Sequence, residues 1–214
     1  MMKRHGFTVL ELIIVLLVIG IVAAILFPMF FARSRESDHP SPGGRCQNDL
    51  KQIAIGIKQY IQDNDERFPI VSVYNSRITA NRPYGWADAI QPYIKSIQVY
   101  QCPSETNGTN TDPTQSGYTD YWYNNNLRNM DEGKLAFISN TILAGDGNDG
   151  IDLADARYAK SGLPAGWMTD ASKPSFRHLK GANYAFADGH VKWLKPEKIT
   201  TNQPDAYTYT FAVK

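Results

Sequence analysis

Residues 1–30 read MMKRHGFTVLELIIVLLVIGIVAAILFPMF. A short basic leader, Lys3, Arg4 and His5, ends in Gly6, and Phe7 opens an apolar run whose only charge is Glu11. From Phe7 to Phe31 a helix of about 25 residues would extend roughly 37 Å, enough to cross a hydrocarbon core of about 30 Å. A carboxylate held at that depth costs about 2.5–3.5 kcal/mol, so an acid inside such a run marks a functional position. Lys3 and Arg4 ahead of the run place the leader in the cytoplasm and everything after Phe31 outside. A secretory signal peptide would also begin with a basic region and an apolar core. Here bulky Ile25, Leu26 and Phe27 follow the only small pair, Ala23 and Ala24, and a glutamate sits early in the apolar core. A plain membrane anchor describes the precursor equally well and competes only as the complete explanation.

The run Gly6-Phe7-Thr8-Val9-Leu10-Glu11 resembles the G-F-T-L-x-E processing site of type IV prepilins and type II secretion pseudopilins, with Val9 in place of the commoner leucine. The resemblance implies that a prepilin peptidase cuts between Gly6 and Phe7 and methylates the new Phe7 terminus. It also implies that Glu11 attracts the N-terminal amine of a neighbouring subunit, an attraction far stronger in low dielectric than in water. Gly20 and Pro28 interrupt the run. By the same resemblance they bracket a segment that melts in the filament, and an ordinary kink is the alternative.

The rest of the chain, out of 214 residues, is enough for one modest globular head. A formal net charge of +1 leaves no electrostatic footprint for nucleic acid. The two cysteines, Cys46 and Cys102, both fall on the outer side, where disulfides persist; a bridge and a pair of buried thiols are the two alternatives. The expected organisation is a leader at 1–6, an assembly helix at 7–36, a Pro/Gly hinge at 37–45 and a head at 46–214. The resemblance implies one unbroken helix through this region, as most pilins have, so Pro40, Pro42, Gly43 and Gly44 are a departure. Helix resumes over 46–62, where Leu50, Ile53, Ala54, Ile57, Tyr60 and Ile61 recur on one apolar face that should pack on a sheet. Asp63 to Pro69 ends it.

Near the C-terminus, Asp188-Gly189 between alternating runs predicts a hairpin over 183–194 with a two-residue type I′ turn, so that Phe186 faces Val191 and Tyr184 faces Trp193. Thr141 to Ala144 and Ala206 to Val213 read as further strands, which gives an α+β fold with an antiparallel sheet against the helix. His178 with Asp188-Gly189 resembles the H-x9-DG signature of a large bacterial subfamily of pilin-like proteins whose domain has no assigned function. The Cys46, Leu50-Lys51-Gln52-Ile53, Asp65 to Pro69 and Tyr100 to Ser104 phrases resemble the same subfamily, with insertions at 37–44 and 148–172. His178 and Asp188 read either as a metal or acid–base pair or as a turn cap beside a backbone-bonded histidine. The loop Asp146, Asn148, Asp149 and Asp152 reads either as a calcium site, which misses the EF-hand register by one residue, or as a solvated turn. Tyr118, Tyr121, Trp122 and Tyr123 read either as core packing or as a stacking surface for sugars or bases. No G-x-S-x-G, H-E-x-x-H or phosphate-loop pattern is present, so no enzymatic activity is expected.

Taken with the resemblance, these readings imply a subunit of a type IV pilus-like filament. A secretion pseudopilin and a ligand-binding minor subunit for adhesion or DNA uptake are the alternatives. The implied partners are identical or homologous pilin subunits, prepilin peptidase, the pilus or secretion machinery of the bacterial inner membrane, and membrane lipid. No nucleic acid and no cofactor other than calcium are expected.

Overall fold

A computed structural model describes residues 9–32, 42–71 and 83–213, the side chains of 24–32 and 42 excepted. The chain divides into two compact units, 1–40 and 41–214. In the first, α1 runs from Val9 to Ala32, 24 residues that would extend roughly 36 Å. Its side chains from Val9 to Ala23 are exposed, apolar but for Glu11 and Gly20. Among the described residues no helix is long and apolar enough to cross a membrane. Gly6, Phe7 and most of the expected hinge lie outside the described residues.

The second unit opens with α2, Pro42–Asp63. Residues 42–45, expected in the hinge, are therefore helical. The physical reason is that proline is tolerated in a first turn, where its missing N–H has no intrahelical partner to lose. Leu50, Ile53, Ala54, Ile57 and Ile61 are buried along one face, as the periodicity requires, and Tyr60 is half-buried at its border. Asn64 Nδ2 donates to the Tyr60 carbonyl at 2.8 Å, and Asp65 and Glu66 take φ of 53° and 57°, which turns the chain away from the helix axis. A short helix, α3 (Trp86–Ala89), follows.

The sheet has the order β3-β1-β2-β4-β5, with β1 at Tyr121–Asn124, β2 at Ile142–Asp146, β3 at Ala159–Lys160, β4 at Ala182–Phe186 and β5 at Val191–Leu194. Three pairings are antiparallel and the β1–β3 pairing is parallel. Both faces of β4 are buried. Ala185, Ala187 and Val191 lie with Tyr121, Tyr123 and Leu143 in the core shared with α2. Ala182, Tyr184 and Phe186 lie on the opposite face with Trp122, Ile142 and Phe211. The small alanines let α2 approach one face, while aromatic rings fill the other.

The hairpin forms in a register one residue from the expected one. Tyr184 pairs with Lys192 and Ala185 with Val191. The loop has three residues rather than two: Gly189 N–H donates to the Phe186 carbonyl at 2.8 Å, and Phe186 N–H to the His190 carbonyl at 2.9 Å. Gly189 sits at φ 91° in the left-handed position that closes this turn and bulge. The slip puts Phe186 beside His190, their rings stacked at 4.4 Å. The tail also departs from expectation. Only Tyr209–Thr210 (β7) is extended, and it pairs in parallel with β6, Ile199–Thr200, outside the main sheet. Phe211 stacks on Trp122 at 4.8 Å, which adds a ring contact to this short ladder.

A second tight turn precedes β4. His178 N–H donates to the Gly181 carbonyl at 2.9 Å and Gly181 N–H returns to the His178 carbonyl at 3.2 Å. Its central residues, Leu179 and Lys180, have φ of 54° and 65°, positions that favour asparagine and glycine. Left-handed backbone costs a residue with a Cβ about 1–2 kcal/mol. Replacing Leu179 by Asn together with Lys180 by Gly is expected to stabilise the head by about 1 kcal/mol, read as a urea midpoint higher by roughly 0.5 M.

Candidate functional site

Of the sequence candidates at the N-terminus, Glu11 lies on the first turn of α1 with its side chain exposed. Gly6 and Phe7 lie outside the described residues.

The head gathers another set. Cys46, on the second turn of α2, is joined to Cys102 as a disulfide with a Cα–Cα distance of 5.1 Å. The Cys102 backbone is fixed by Asp120, whose Oδ2 accepts its N–H at 2.8 Å. His178 enters from the turn before β4, and its Nε2 lies 3.7 Å from the Cys102 sulfur and 3.3 Å from Asp146 Oδ2. Asp146 ends β2, and the antiparallel neighbour β4 presents Asn183 N–H to the same oxygen at 2.6 Å. All four side chains are buried: Cys46 0%, Cys102 2%, Asp146 1% and His178 6% exposed. Among the described residues Asp146 Oδ1 is buried and has no hydrogen-bond partner. Trp193 Nε1 donates to the His178 carbonyl at 2.6 Å and so fixes the backbone that carries the imidazole. A Cβ at Gly181 would run into that indole, so this glycine is needed for close approach.

His178 therefore pairs with Asp146, not with Asp188. Asp188 serves its own turn, accepting from His190 N–H at 3.0 Å and lying 2.5 Å from His190 Nδ1. Gly189 ties the hairpin to α2 by accepting from Lys51 Nζ at 2.5 Å. Each of the calcium candidates has protein partners of its own. Asp146 faces His178. Asn148 Nδ2 donates to Asp120 Oδ1 at 2.7 Å. Asp149 caps Ile151 N–H at 3.1 Å and faces Trp167 Nε1 at 3.2 Å, and Asp152 pairs with Lys160 at 2.6 Å. Tyr118, Tyr121, Trp122 and Tyr123 are at most 2% exposed, so they pack inside the head and present no stacking surface. Asp146 as the partner of His178, and Asn183 N–H as the donor that orients Asp146, have no local sequence signal. Asp146 carried an apparent loop signal, and only the β2–β4 pairing shows where it points.

Asp120 is the buried carboxylate behind this cluster. Burial pushes its pKa from 3.8 to about 6, against the hydrogen bonds from Asn148 and Cys102 that lower it. A raised carboxyl pKa contributes stability that is fully present below the unfolded value and is lost as pH rises through about 6. The head is therefore expected to lose up to about 3 kcal/mol between pH 4 and pH 7 through this group. In Asp120→Asn that part of the slope should vanish, leaving a shallower dependence in urea titrations at pH 4, 5, 6 and 7. Asp49, pushed to about 6 by burial with Arg45 opposing, supplies a remaining share in the same window.

Residues 1–27 match the family model described as the prokaryotic N-terminal methylation motif. No curated protein and no solved structure matches the chain. This match ends before α2, so it says nothing of the His178–Gly189 segment. It supports a type IV pilin-like or pseudopilin precursor, anchored in a membrane and processed by a prepilin peptidase before export in a filament.

Proposed function

We propose that the chain is a structural, non-catalytic subunit of a type IV pilus-like filament, stored in the bacterial inner membrane, cut between Gly6 and Phe7, methylated at Phe7 and packed through α1. The observation that carries this reading is the methylation motif over residues 1–27, continued by a helix from Val9 whose described side chains are exposed and almost wholly apolar. Such a surface has no reason to remain in water and is the surface that packing between subunits would cover. The head, a separate compact unit beginning at Ser41, would line the filament surface.

Mass spectrometry of the N-terminal peptide from membrane and sheared-surface fractions tests the reading. N-methylated Phe7 in the sheared fraction is the expected result. N-methylated Phe7 in the membrane fraction alone would favour a secretion pseudopilin or a minor subunit. An intact Met1, or a cut after Ala24, would overturn processing altogether and leave an anchored or secreted domain.

A further inference from the structure

Asn107-Gly108-Thr109 is the only N-x-[ST] triplet in the chain, the acceptor signal for an N-linked glycan, and its middle residue is not the excluded proline. Glu105, two residues ahead, adds the acidic position of the bacterial form of this signal. The triplet lies in the stretch between Tyr100 and β1, which forms no helix or strand, so a transferase can draw it out without breaking a ladder. Thr106, Asn107, Gly108 and Thr109 are all exposed, and a Cβ at Gly108 would meet nothing within 4 Å. The acceptor amide is held in a way that survives substitution. Glu105 Oε1 accepts from Asn107 Nδ2 at 2.6 Å, and also from the backbone N–H groups of Thr106 at 2.8 Å and Asn107 at 3.0 Å. Arg177 fixes the other oxygen of that carboxylate by an ion pair. The second Nδ2 hydrogen reaches only the Asn148 carbonyl, at 3.4 Å, a long contact. A glycan on Nδ2 leaves one N–H, so the short bond to Glu105 is kept and only the long one is given up. Beside the amide a cavity of about 260 Å³, lined by Thr106, Asn148, Asp149, Ser172 and Lys173, offers donors and acceptors to the hydroxyls of a first sugar ring.

We propose that Asn107 is the acceptor of an N-linked glycan, transferred outside the inner membrane from a polyprenyl-diphosphate-linked oligosaccharide. Asn107 Nδ2 displaces the lipid diphosphate from C1 of the first sugar. The C1–N bond forms, the C1–O bond to phosphate breaks, and one amide proton leaves with the diphosphate, with no change of oxidation state. The product places a bulky, hydrated group on the surface of the head at this loop. The inference rests on the proposed function only in placing the head outside the membrane, and it involves no residue of α1.

The test is mass spectrometry of the full chain isolated from the membranes of its own cells, reduced and digested with trypsin. Cuts after Lys95 and Arg128 release Asn107 in one peptide, because no lysine or arginine lies between them. The expected result is a glycan on that peptide, located on Asn107 by electron-transfer fragmentation. Asn107→Gln and Thr109→Ala, expressed in the same cells, should each lose it, and Thr109→Ser should keep it. A bare or merely deamidated Asn107 in the wild-type chain would overturn the proposal, and so would a glycan that Asn107→Gln retains, since it would sit on a neighbouring hydroxyl. The same digest reads the N-terminus. N-methylated Phe7 beside a bare Asn107 overturns this inference alone, and a glycosylated Asn107 beside an intact Met1 overturns N-terminal processing alone.

Discussion

Replacing Cys46 and Cys102 by alanine is expected to destabilise the head by about 4 kcal/mol in the chain-entropy account. The two are 56 residues apart, and the loop they close contains α2 from its second turn onward and all of α3. Opening it releases the denatured chain over that whole length, while in the folded head the sulfurs contribute only two small buried groups. Single domains are stable by about 5–15 kcal/mol, so this one bond supplies a large share of the whole. The four tryptophans, Trp86, Trp122, Trp167 and Trp193, all lie in the head. Their fluorescence in a urea titration therefore follows the head without contribution from α1. At a slope of about 2 kcal/mol per molar, the midpoint should fall by roughly 2 M. A shift below about 0.3 M would mean that packing of α2 on the sheet, not the cross-link, holds the head. Alanine is preferred to serine because a hydroxyl in this dry cluster would add an unpaired polar group of its own.

What the sequence made legible follows physical range. The apolar face of α2 repeats every three or four residues, and the buried set Leu50, Ile53, Ala54, Ile57 and Ile61 follows it. The hairpin was visible from Asp188-Gly189, yet its register was not. The same two residues serve a two-residue loop or the last two places of a three-residue loop, and the choice is made by where Phe186 and His190 find their rings. β1 was hidden because Tyr121 to Tyr123 are aromatic on both faces, without the alternation that marks a half-buried strand. Its parallel partner β3 follows only after the whole of β2, and no local signal announces such a pairing. His178 stood out, whereas its partner did not. Asp146 sits in a stretch rich in acids and glycines that reads as a loop, while in the fold it is the last residue of a buried strand. Pairing of β2 with β4 is a long-range event, and it alone turns a loop-like acid into the neighbour of a buried histidine.

Glu11→Ala is expected to leave the precursor inserted and processed while reducing its incorporation into filaments about 100-fold. Insertion should be unimpaired, because removing the acid relieves a cost of about 2.5–3.5 kcal/mol at the depth of α1. Cleavage should be unimpaired, because Gly6 and Phe7 remain. Assembly is where the loss falls. Under the filament reading, the N-methylated Phe7 amine of one subunit is carried into an apolar setting as a cation, and Glu11 of its neighbour is the acid that meets it. Removing one member of a buried pair costs about 3–5 kcal/mol because the other is left without compensation, and each 1.4 kcal/mol is a factor of ten in the docking equilibrium. Glu11→Gln keeps the shape and loses the charge, so it should fail nearly as badly as alanine; Glu11→Asp keeps the charge on a shorter arm and should recover part of the yield. Quantifying processed subunit in sheared and membrane fractions separates these steps. Wild-type filament yield from both uncharged variants would show that α1 packs through its apolar surface alone and that Glu11 has no part in bringing subunits together.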